Sequence, residues 1–272
     1  MKINANFRIF AATNFDPTKY IASPAYGVNR FMLDRIGDEK ARATTIVEYS
    51  PNSKFPEHTH IGGEEFLVLK GTFKDQFGEF PAGTYVRNPI DSVHAPWVDE
   101  DGCTIMVKLL QMAEGKEKDP LHIDLNKQKE TDGKKTDFGT ILDLYDNEFT
   151  GEHVEMCWVD PNKPFPSTEK GLKEGEELFI MEGSLLIDSE EYVQWGWLRF
   201  PVEADSNHRS KLMSGPQGAQ VYRKVGHLTE DAMKKEKIQI TEDWVGSRKK
   251  IEKSADFQNA QIICSKAAIF IM

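Results

Sequence analysis

Short apolar runs in which polar positions alternate dominate the first 228 residues. The runs are rich in β-branched and aromatic residues and end at glycine, proline, asparagine or aspartate, as in "ATTIVEYSPNS", "EEFLVLKG" and "CTIMVKLLQM". In "TTIVEY", Thr45, Val47 and Tyr49 would share one face of a strand, whereas Glu48 would point the other way. This pattern predicts an all-β fold, built as an antiparallel sandwich or small barrel.

The predicted strands fall into two sets that repeat in the same order. The first set contains "FPEHTHIGGEEFLVLKG", "YVRNP", a histidine and "CTIMVKLL". The second contains "PFPSTEKGLKEGEELFIMEG", "WLRFP", a histidine and "AQVYRKVG". Matched blocks in one order predict a duplicated unit. We expect a first domain over residues 1–112, a charged linker over 113–137 in which "LHIDL" could pair as a strand, and a second domain over 138–228.

The chain changes character after His227. The segment "TEDAMKKEKIQITEDW" starts with Thr229, a good N-cap residue, followed by Glu230 and Asp231 in the first turn, which predicts a helix. The last residues, "AQIICSKAAIFIM", are apolar enough to need burial against the barrels or a partner subunit. Residues 229–272 are therefore expected to form a partly helical extension.

Charge and composition narrow the function. The chain has 34 basic and 44 acidic residues, and its lysines are mixed with glutamates, so we expect no nucleic-acid partner. No segment approaches the ~20 apolar residues of a membrane helix, and the N-terminus lacks a secretory signal. A cytoplasmic protein without a membrane partner is expected. Three widely spaced cysteines disfavour a disulfide framework.

The segment "EHTHIGGEE" is the strongest chemical signal. His58 and His60 are two residues apart, so on an extended strand both imidazoles point to one side. The Gly-Gly pair lets the chain turn, and Glu64 then opens the next strand with its carboxylate directed back. His94 follows one predicted hairpin later. Three imidazoles and a carboxylate suit zinc, iron, manganese, nickel or copper.

Glu65 is the alternative carboxylate ligand. On a regular strand it would face away from Glu64, which shares its parity with the inward candidates Phe66 and Val68. We therefore predict one divalent metal, with zinc or iron as the first candidates, held by His58, His60, Glu64 and His94.

The second set lacks an equivalent site. Thr168 and Lys170 fall roughly where the first two histidines would be, and only Glu176 and His208 could correspond to ligands. The second domain is therefore expected to stabilise the pair rather than to bind metal. No ligand role is predicted for the histidines outside these motifs, which are His122, His153 and His227.

The first set resembles the cupin family. The spacing His58-x-His60-x3-Glu64-x6-Gly71 is similar to the first cupin motif, and Pro89-x-Asp91-x2-His94 is similar to the second, with Asp91 where the family often has glycine. Residues 22–112 resemble the ChrR-like cupins in particular, whereas the second set does so weakly and the tail not at all. The resemblance implies two tandem cupin barrels, double-stranded β-helices of the jelly-roll type, with the metal inside the first.

The resemblance implies two alternative functions. Some relatives are small dioxygenases, which implies a non-haem metal dioxygenase acting on a small diketone or phenolic ketone. Others form the metal-binding half of anti-sigma factors, which implies a non-catalytic module that senses a metal or a small molecule. The separate zinc module of those anti-sigma factors has no counterpart before residue 50.

No catalytic residue is predicted, because the sequence has no nucleophile motif such as G-x-S-x-G and no separate acid–base pair. A small-molecule ligand is expected in the first barrel. By analogy with other cupins, the chain is expected to form a homodimer.

Overall fold

The computed structural model describes residues 1–113, 119–203 and 206–237. In these ranges the alternating apolar runs form strands, and the helices are short. The expected all-β fold is therefore confirmed. None of the helices in these ranges is long and apolar enough to cross a membrane.

The elements up to residue 124 are β1 (Lys2–Ile3), β2 (Ala11–Thr13), β3 (Ile21–Ala22), β4 (Val28–Gly37), β5 (Ala41–Tyr49), β6 (His58–His60), β7 (Glu64–Asp75), β8 (Gly78–Pro81), β9 (Thr84–Asn88), β10 (Ser92–His94), β11 (Cys103–Leu109) and β12 (Leu121–Asp124). They are followed by α1 (Leu125–Asp132), β13 (Lys134–Thr136), β14 (Gly139–Asn147), β15 (Glu152–Val159), α2 (Glu169–Glu174), β16 (Glu176–Ile187), β17 (Glu190–Val193), β18 (Trp197–Phe200), α3 (Ser206–Arg209), β19 (Met213–Val225) and α4 (Glu230–Lys234). A 3-10 turn covers Pro17–Lys19.

Two large antiparallel sheets form the two barrels. The first has the strand order β1-β4-β5-β11-β7-β9-β12, and a separate two-stranded sheet of β6 and β10 completes this barrel. The second has the order β13-β14-β15-β19-β16-β18-β2. Strand β2 thus comes from the N-terminal part of the chain. Strand β12 comes from the segment predicted as a linker, in which "LHIDL" could pair as a strand and does so with β9.

Strand parity decides which side chains fill each barrel. Phe66 and Val68 lie in the apolar interior of the first barrel with Val47 and Tyr49, as predicted. Leu67 points the opposite way and joins a third apolar cluster between the two barrels. The cluster inside the second barrel is built in the same way, from residues that include Cys157, Val159, Leu178, Ile180, Leu198 and Val221.

Equivalent positions of the two barrels follow from strand register. Glu64 of β7 pairs with Asn88 of β9, and Glu176 of β16 pairs with Phe200 of β18. Since β7 and β16 are the same length, Glu65 corresponds to Glu177. The duplication predicted from the sequence is therefore present in the structure.

Ion pairs cross between the barrels at these equivalent positions. Lys224 of the second barrel contacts Glu65 of the first at 2.6 Å, and Lys108 of the first contacts Glu177 of the second at 2.9 Å. All four side chains are at most 2 % exposed. Lys224 also contacts Glu152 at 2.8 Å. Buried charges are tolerated only when they are paired, so this arrangement fixes how the barrels meet.

The predicted C-terminal helix is present but short. Thr229 caps α4 by accepting a hydrogen bond from the backbone N–H of Ala232 at 3.1 Å, as expected. The helix ends at Lys234, and Glu236 then forms a β-bridge with Ala113 instead of continuing the helix. The predicted burial of the last apolar residues concerns positions outside the described residues.

We expect Lys224→Met to lower the free energy of unfolding by about 3–5 kcal/mol, because only Arg87 then remains to balance the two buried carboxylates of Glu65 and Glu152. Lys173→Met is the control, since Lys173 pairs with Glu169 on the exposed face of α2 and should contribute little. Urea unfolding followed by circular dichroism measures both. Equal effects of the two substitutions would contradict a stabilising role for the buried pairs.

Candidate metal centre

The small sheet of β6 and β10 carries three histidines. His58 lies opposite His94 in the antiparallel register, and His60 lies two residues further along β6. Thr59 and Val93 point outward and are exposed, whereas the three imidazoles are buried. Strand alternation therefore places the three imidazoles on one face, as the H-x-H spacing predicts.

The four predicted ligands lie together. Ligand nitrogens of the three histidines are all within 4.8 Å of one another, and Nε2 of His60 is 2.8 Å from Nε2 of His94. Oε2 of Glu64 lies 3.4 Å from Nε2 of His60 and 3.8 Å from Nε2 of His94. Gly63 makes the turn that returns Glu64 to the histidines, with a φ of 74° that favours glycine.

Hydrogen bonds behind the ligands set their orientation. Nδ1 of His58 donates to the carbonyl of Pro56 at 3.0 Å, and Nδ1 of His94 donates to the carboxylate of Asp75 at 3.0 Å. Both rings therefore carry their proton on Nδ1 and turn the lone pair of Nε2 inward. Asn88 donates from Nδ2 to Oε2 of Glu64 at 2.9 Å.

Two buried atoms fit a bound cation. Among the described residues, Nε2 of His58 and Oε1 of Glu64 have no hydrogen-bond partner. A buried polar atom without a partner costs about 1–3 kcal/mol, so these atoms call for a ligand. Imidazole nitrogens and a carboxylate oxygen are ligands that zinc and iron accept.

Burial holds most of this site in the form that binds metal. Burial, assisted by the neighbouring His60, lowers the pKa of His58 to about 4. Burial and then the nearby His94 lower the pKa of His60 to about 3. Burial also opposes the charge on His94, but the hydrogen bond to Asp75 and the charge of Glu64 outweigh it and raise the pKa of His94. His58 and His60 are therefore neutral at pH 7, as metal ligation requires.

Glu65, the alternative carboxylate, lies outside this site. It accepts hydrogen bonds from Tyr85 at 3.0 Å and from Tyr222 at 2.5 Å, and it pairs with Lys224 between the barrels. Strand parity therefore separates the two adjacent glutamates, with Glu64 facing the histidines and Glu65 facing the second barrel.

Helices replace the histidine-bearing strands in the second barrel. Helix α2 stands in the position of β6, and α3 stands in the position of β10. Thr168 caps α2, with its hydroxyl accepting from the N–H of Gly171 at 2.9 Å, so Thr168 and Lys170 are not strand residues aligned with the first two histidines. The expected correspondence with the first two histidines is therefore wrong in detail, because Thr168 and Lys170 belong to a capped helical turn and not to a strand.

The other two expected counterparts have different partners. Glu176 forms a buried ion pair with Arg209, and the ring of His208 packs against Phe10 with 4.7 Å between ring centroids. A guanidinium therefore neutralises the glutamate that corresponds to Glu64.

A second group of potential ligands occurs where the sequence predicted none. Ligand atoms of Asp143, His153 and Glu155 lie within 4.8 Å of one another. The sequence signal was the H-x-E spacing on β15, which places His153 and Glu155 on one face. Lys134 already pairs with Asp143, and Arg223 already pairs with Glu155. These cations make the group a network of ion pairs.

Solved structures share this two-barrel fold. A candidate glyoxylate-induced protein from Pseudomonas aeruginosa matches with a TM-score of 0.58 at 14% identity, over 80% of this chain and 89% of that one. The structure of pirin YhhW from Escherichia coli in complex with nickel(II) matches with a TM-score of 0.57 at 9% identity, over 80% of this chain and 98% of that one. A candidate dioxygenase from Nostoc punctiforme PCC 73102 matches with a TM-score of 0.52 at 15% identity, over 83% of this chain and 81% of that one. Identities this low show the fold alone.

The two tandem barrels define a bicupin, which confirms the expected architecture. Residues 10–113, which form most of the first barrel, match the family model of the ChrR Cupin-like domain. A comparison with curated proteins finds no significant match.

The pKa values of His58 and His60 predict acid sensitivity of the metal-free protein. Both lie below the ordinary value of 6.5, so the unfolded chain binds more protons as the pH falls from 6.5 toward 4. The free energy of unfolding should therefore decrease over this window, by up to about 1.4 kcal/mol per pH unit for each histidine. In a His58→Gln, His60→Gln double variant, the free energy of unfolding should depend less steeply on pH. Urea titrations of chelator-treated protein measure this. If the double variant showed the same pH dependence as the wild type, the low pKa values of His58 and His60 would be contradicted.

Proposed function

We propose that the first barrel holds one divalent metal through His58, His60, Glu64 and His94. The observation that carries this proposal is that three buried imidazoles and one buried carboxylate direct their ligand atoms toward one another. Zinc or iron is the first candidate, and manganese, nickel or copper would also suit the ligand set. The nickel(II) in the pirin structure is consistent with this range of metals.

We further propose that this barrel is a non-haem metal dioxygenase for a small diketone or phenolic ketone. Four protein ligands leave one or two positions free on a five- or six-coordinate ion. When bound, iron would supply the redox and Lewis-acid chemistry that such a reaction needs. The dioxygenase assignment of the Nostoc protein, which shares the fold, points in the same direction.

The residues of the first barrel would bind and shield such a substrate. Phe66, Val68 and Phe73 belong to the apolar cluster of the interior, and the ring of Phe73 lies 6.0 Å from the ring of His94. This apolar surface beside the histidines would exclude water and accept the carbon skeleton of the substrate. The ketone oxygens would be left to face the metal.

A different observation favours the alternative, a sensing module without catalysis. The turn between the ligands is held from behind, because the N–H of Met112 donates to the carbonyl of Gly62 at 3.2 Å and the N–H of Leu110 donates to that of Gly63 at 3.4 Å. The carbonyl of Met112 accepts in turn from the N–H of Lys237 at 2.9 Å. A change in this turn on ligand binding would therefore reach the start of the C-terminal extension.

We expect one metal per chain, because α2 and α3 take the place of the histidine-bearing sheet in the described part of the second barrel. His60→Ala should remove most of the bound metal, whereas His208→Ala, the matched change in the second barrel, should leave the content unchanged. Elemental analysis of untagged protein purified without added metal measures both. Similar losses in the two variants would show that the ligands are wrongly assigned.

Substrate chemistry separates the dioxygenase from the sensor. Anaerobic protein loaded with Fe(II) and then exposed to nitric oxide, which imitates O2, should give the paramagnetic resonance signal of nitric oxide bound to iron. A small diketone should perturb this signal and start O2 uptake. If the nitric oxide signal and O2 uptake are both absent while chelation still changes stability or association, the sensing module replaces the enzyme as the proposed function.

A further inference from the structure

Two buried polar side chains stand directly behind two of the proposed ligands. Asp75 accepts the hydrogen bond from Nδ1 of His94 at 3.0 Å, and Asn88 donates to Glu64 at 2.9 Å. Asp75 is 4 % exposed and Asn88 is 3 % exposed. A carboxylate is costly to bury unless its oxygens accept hydrogen bonds, and Asp75 uses Oδ1 for the N–H of Phe77 at 2.8 Å and Oδ2 for the ring of His94.

The hairpin between β7 and β8 makes three hydrogen bonds to the segment that carries His94. Asp75, the last residue of β7, binds the imidazole ring. The next residue, Gln76, donates from Nε2 to the carbonyl of Val93 at 2.9 Å and accepts from the N–H of Ala95 at 3.1 Å. The main chain is therefore held on both sides of His94, and the ring is held separately by Asp75.

The second barrel provides an internal comparison for these two positions. Asp75 is paired with Gly78 as the last pair before the hairpin turn, and Ile187 is paired with Glu190 in the same way. The residue that corresponds to Asp75 is therefore Ile187, which is 3 % exposed within the apolar cluster of the second barrel. In that barrel α2 and α3 replace the strands that carry the histidines, and His208 of α3 packs against Phe10.

Asn88 shows the same replacement. Its position opposite Glu64 is taken by Phe200 opposite Glu176. In contrast, Arg87, which pairs with Glu65 and Glu152 between the barrels, corresponds to another arginine. The interface charges are thus kept in both barrels, whereas the polar residues behind the ligands occur only where the histidines occur.

We propose that Asp75 is a positioning residue of the metal centre. It keeps the proton of His94 on Nδ1 and turns the lone pair of Nε2 toward the metal. The inference rests on the metal site proposed above. Hydrogen bonds of this kind fix the tautomer and raise the basicity of a ligating histidine, and their loss lowers metal affinity about 10–100-fold.

Asp75→Asn tests the inference with a side chain of the same size. Titration of the metal-free protein with Co(II) should give a Kd about 10–100-fold higher than in the wild type. The visible absorption spectrum of the cobalt-loaded variant should also shift, since the ligation by His94 changes. Gln76→Ala is the matched control, because it loosens the same hairpin while keeping the carboxylate, and it should retain the wild-type spectrum.

The wild-type protein supplies a test that does not depend on the variant folding. Nitrogen-15 chemical shifts of the imidazoles in metal-free protein should show the proton of His94 on Nδ1. A proton on Nε2 with none on Nδ1 would overturn the inference, as would wild-type cobalt affinity and spectrum in Asp75→Asn. Equal spectral changes in Asp75→Asn and Gln76→Ala would reduce Asp75 to a structural role. A wild-type protein that binds no cobalt would instead refute the metal site itself.

Discussion

Crossed ion pairs between the barrels are the constraint on which the rest of the structure depends. Glu65 and Lys108 are neighbours on β7 and β11, yet each pairs with a residue of the other barrel. Because Glu65 must face Lys224, strand parity turns the adjacent Glu64 into the first barrel. A slip of one residue would exchange the two glutamates and remove the carboxylate from the histidines. Assembly of the barrels and the meeting of Glu64 with the three histidines therefore depend on one strand register.

The two barrels share one strand arrangement but differ in the elements and side chains around Glu64 and Glu176. Both keep the charged positions that hold them together. Within residues 1–113, 119–203 and 206–237, the two-stranded sheet with its histidines occurs in the first barrel, and α2 and α3 take its place in the second. Arg209 there provides a permanent positive charge beside Glu176. Glu176 of the second barrel therefore already has a cationic partner, which Glu64 does not have among the described residues.

Local patterns in the sequence were enough to predict the fold and to group the four candidate ligands, but not to predict the residues around them. Alternation and repeat order were enough to predict two barrels and to prefer Glu64 over Glu65. The alignment of Thr168 with a histidine failed because its hydroxyl caps a helix, which a strand-based repeat does not anticipate. Asp75 could not be found, because its partner His94 lies on another strand and one aspartate at a strand end has no motif. The pairing of β2 with β18 is equally non-local.

The position of β2 also affects how the chain is made. Its partner β18 lies near residue 200, so on a ribosome that adds about 5–20 residues each second β2 waits on the order of ten to forty seconds for it. Strands β1 and β3, on either side of β2, can pair with β4 much earlier. The segment between them then remains looped out from a nascent first barrel. Completion of the second sheet is thus a late event, in which a strand made early closes a structure made last.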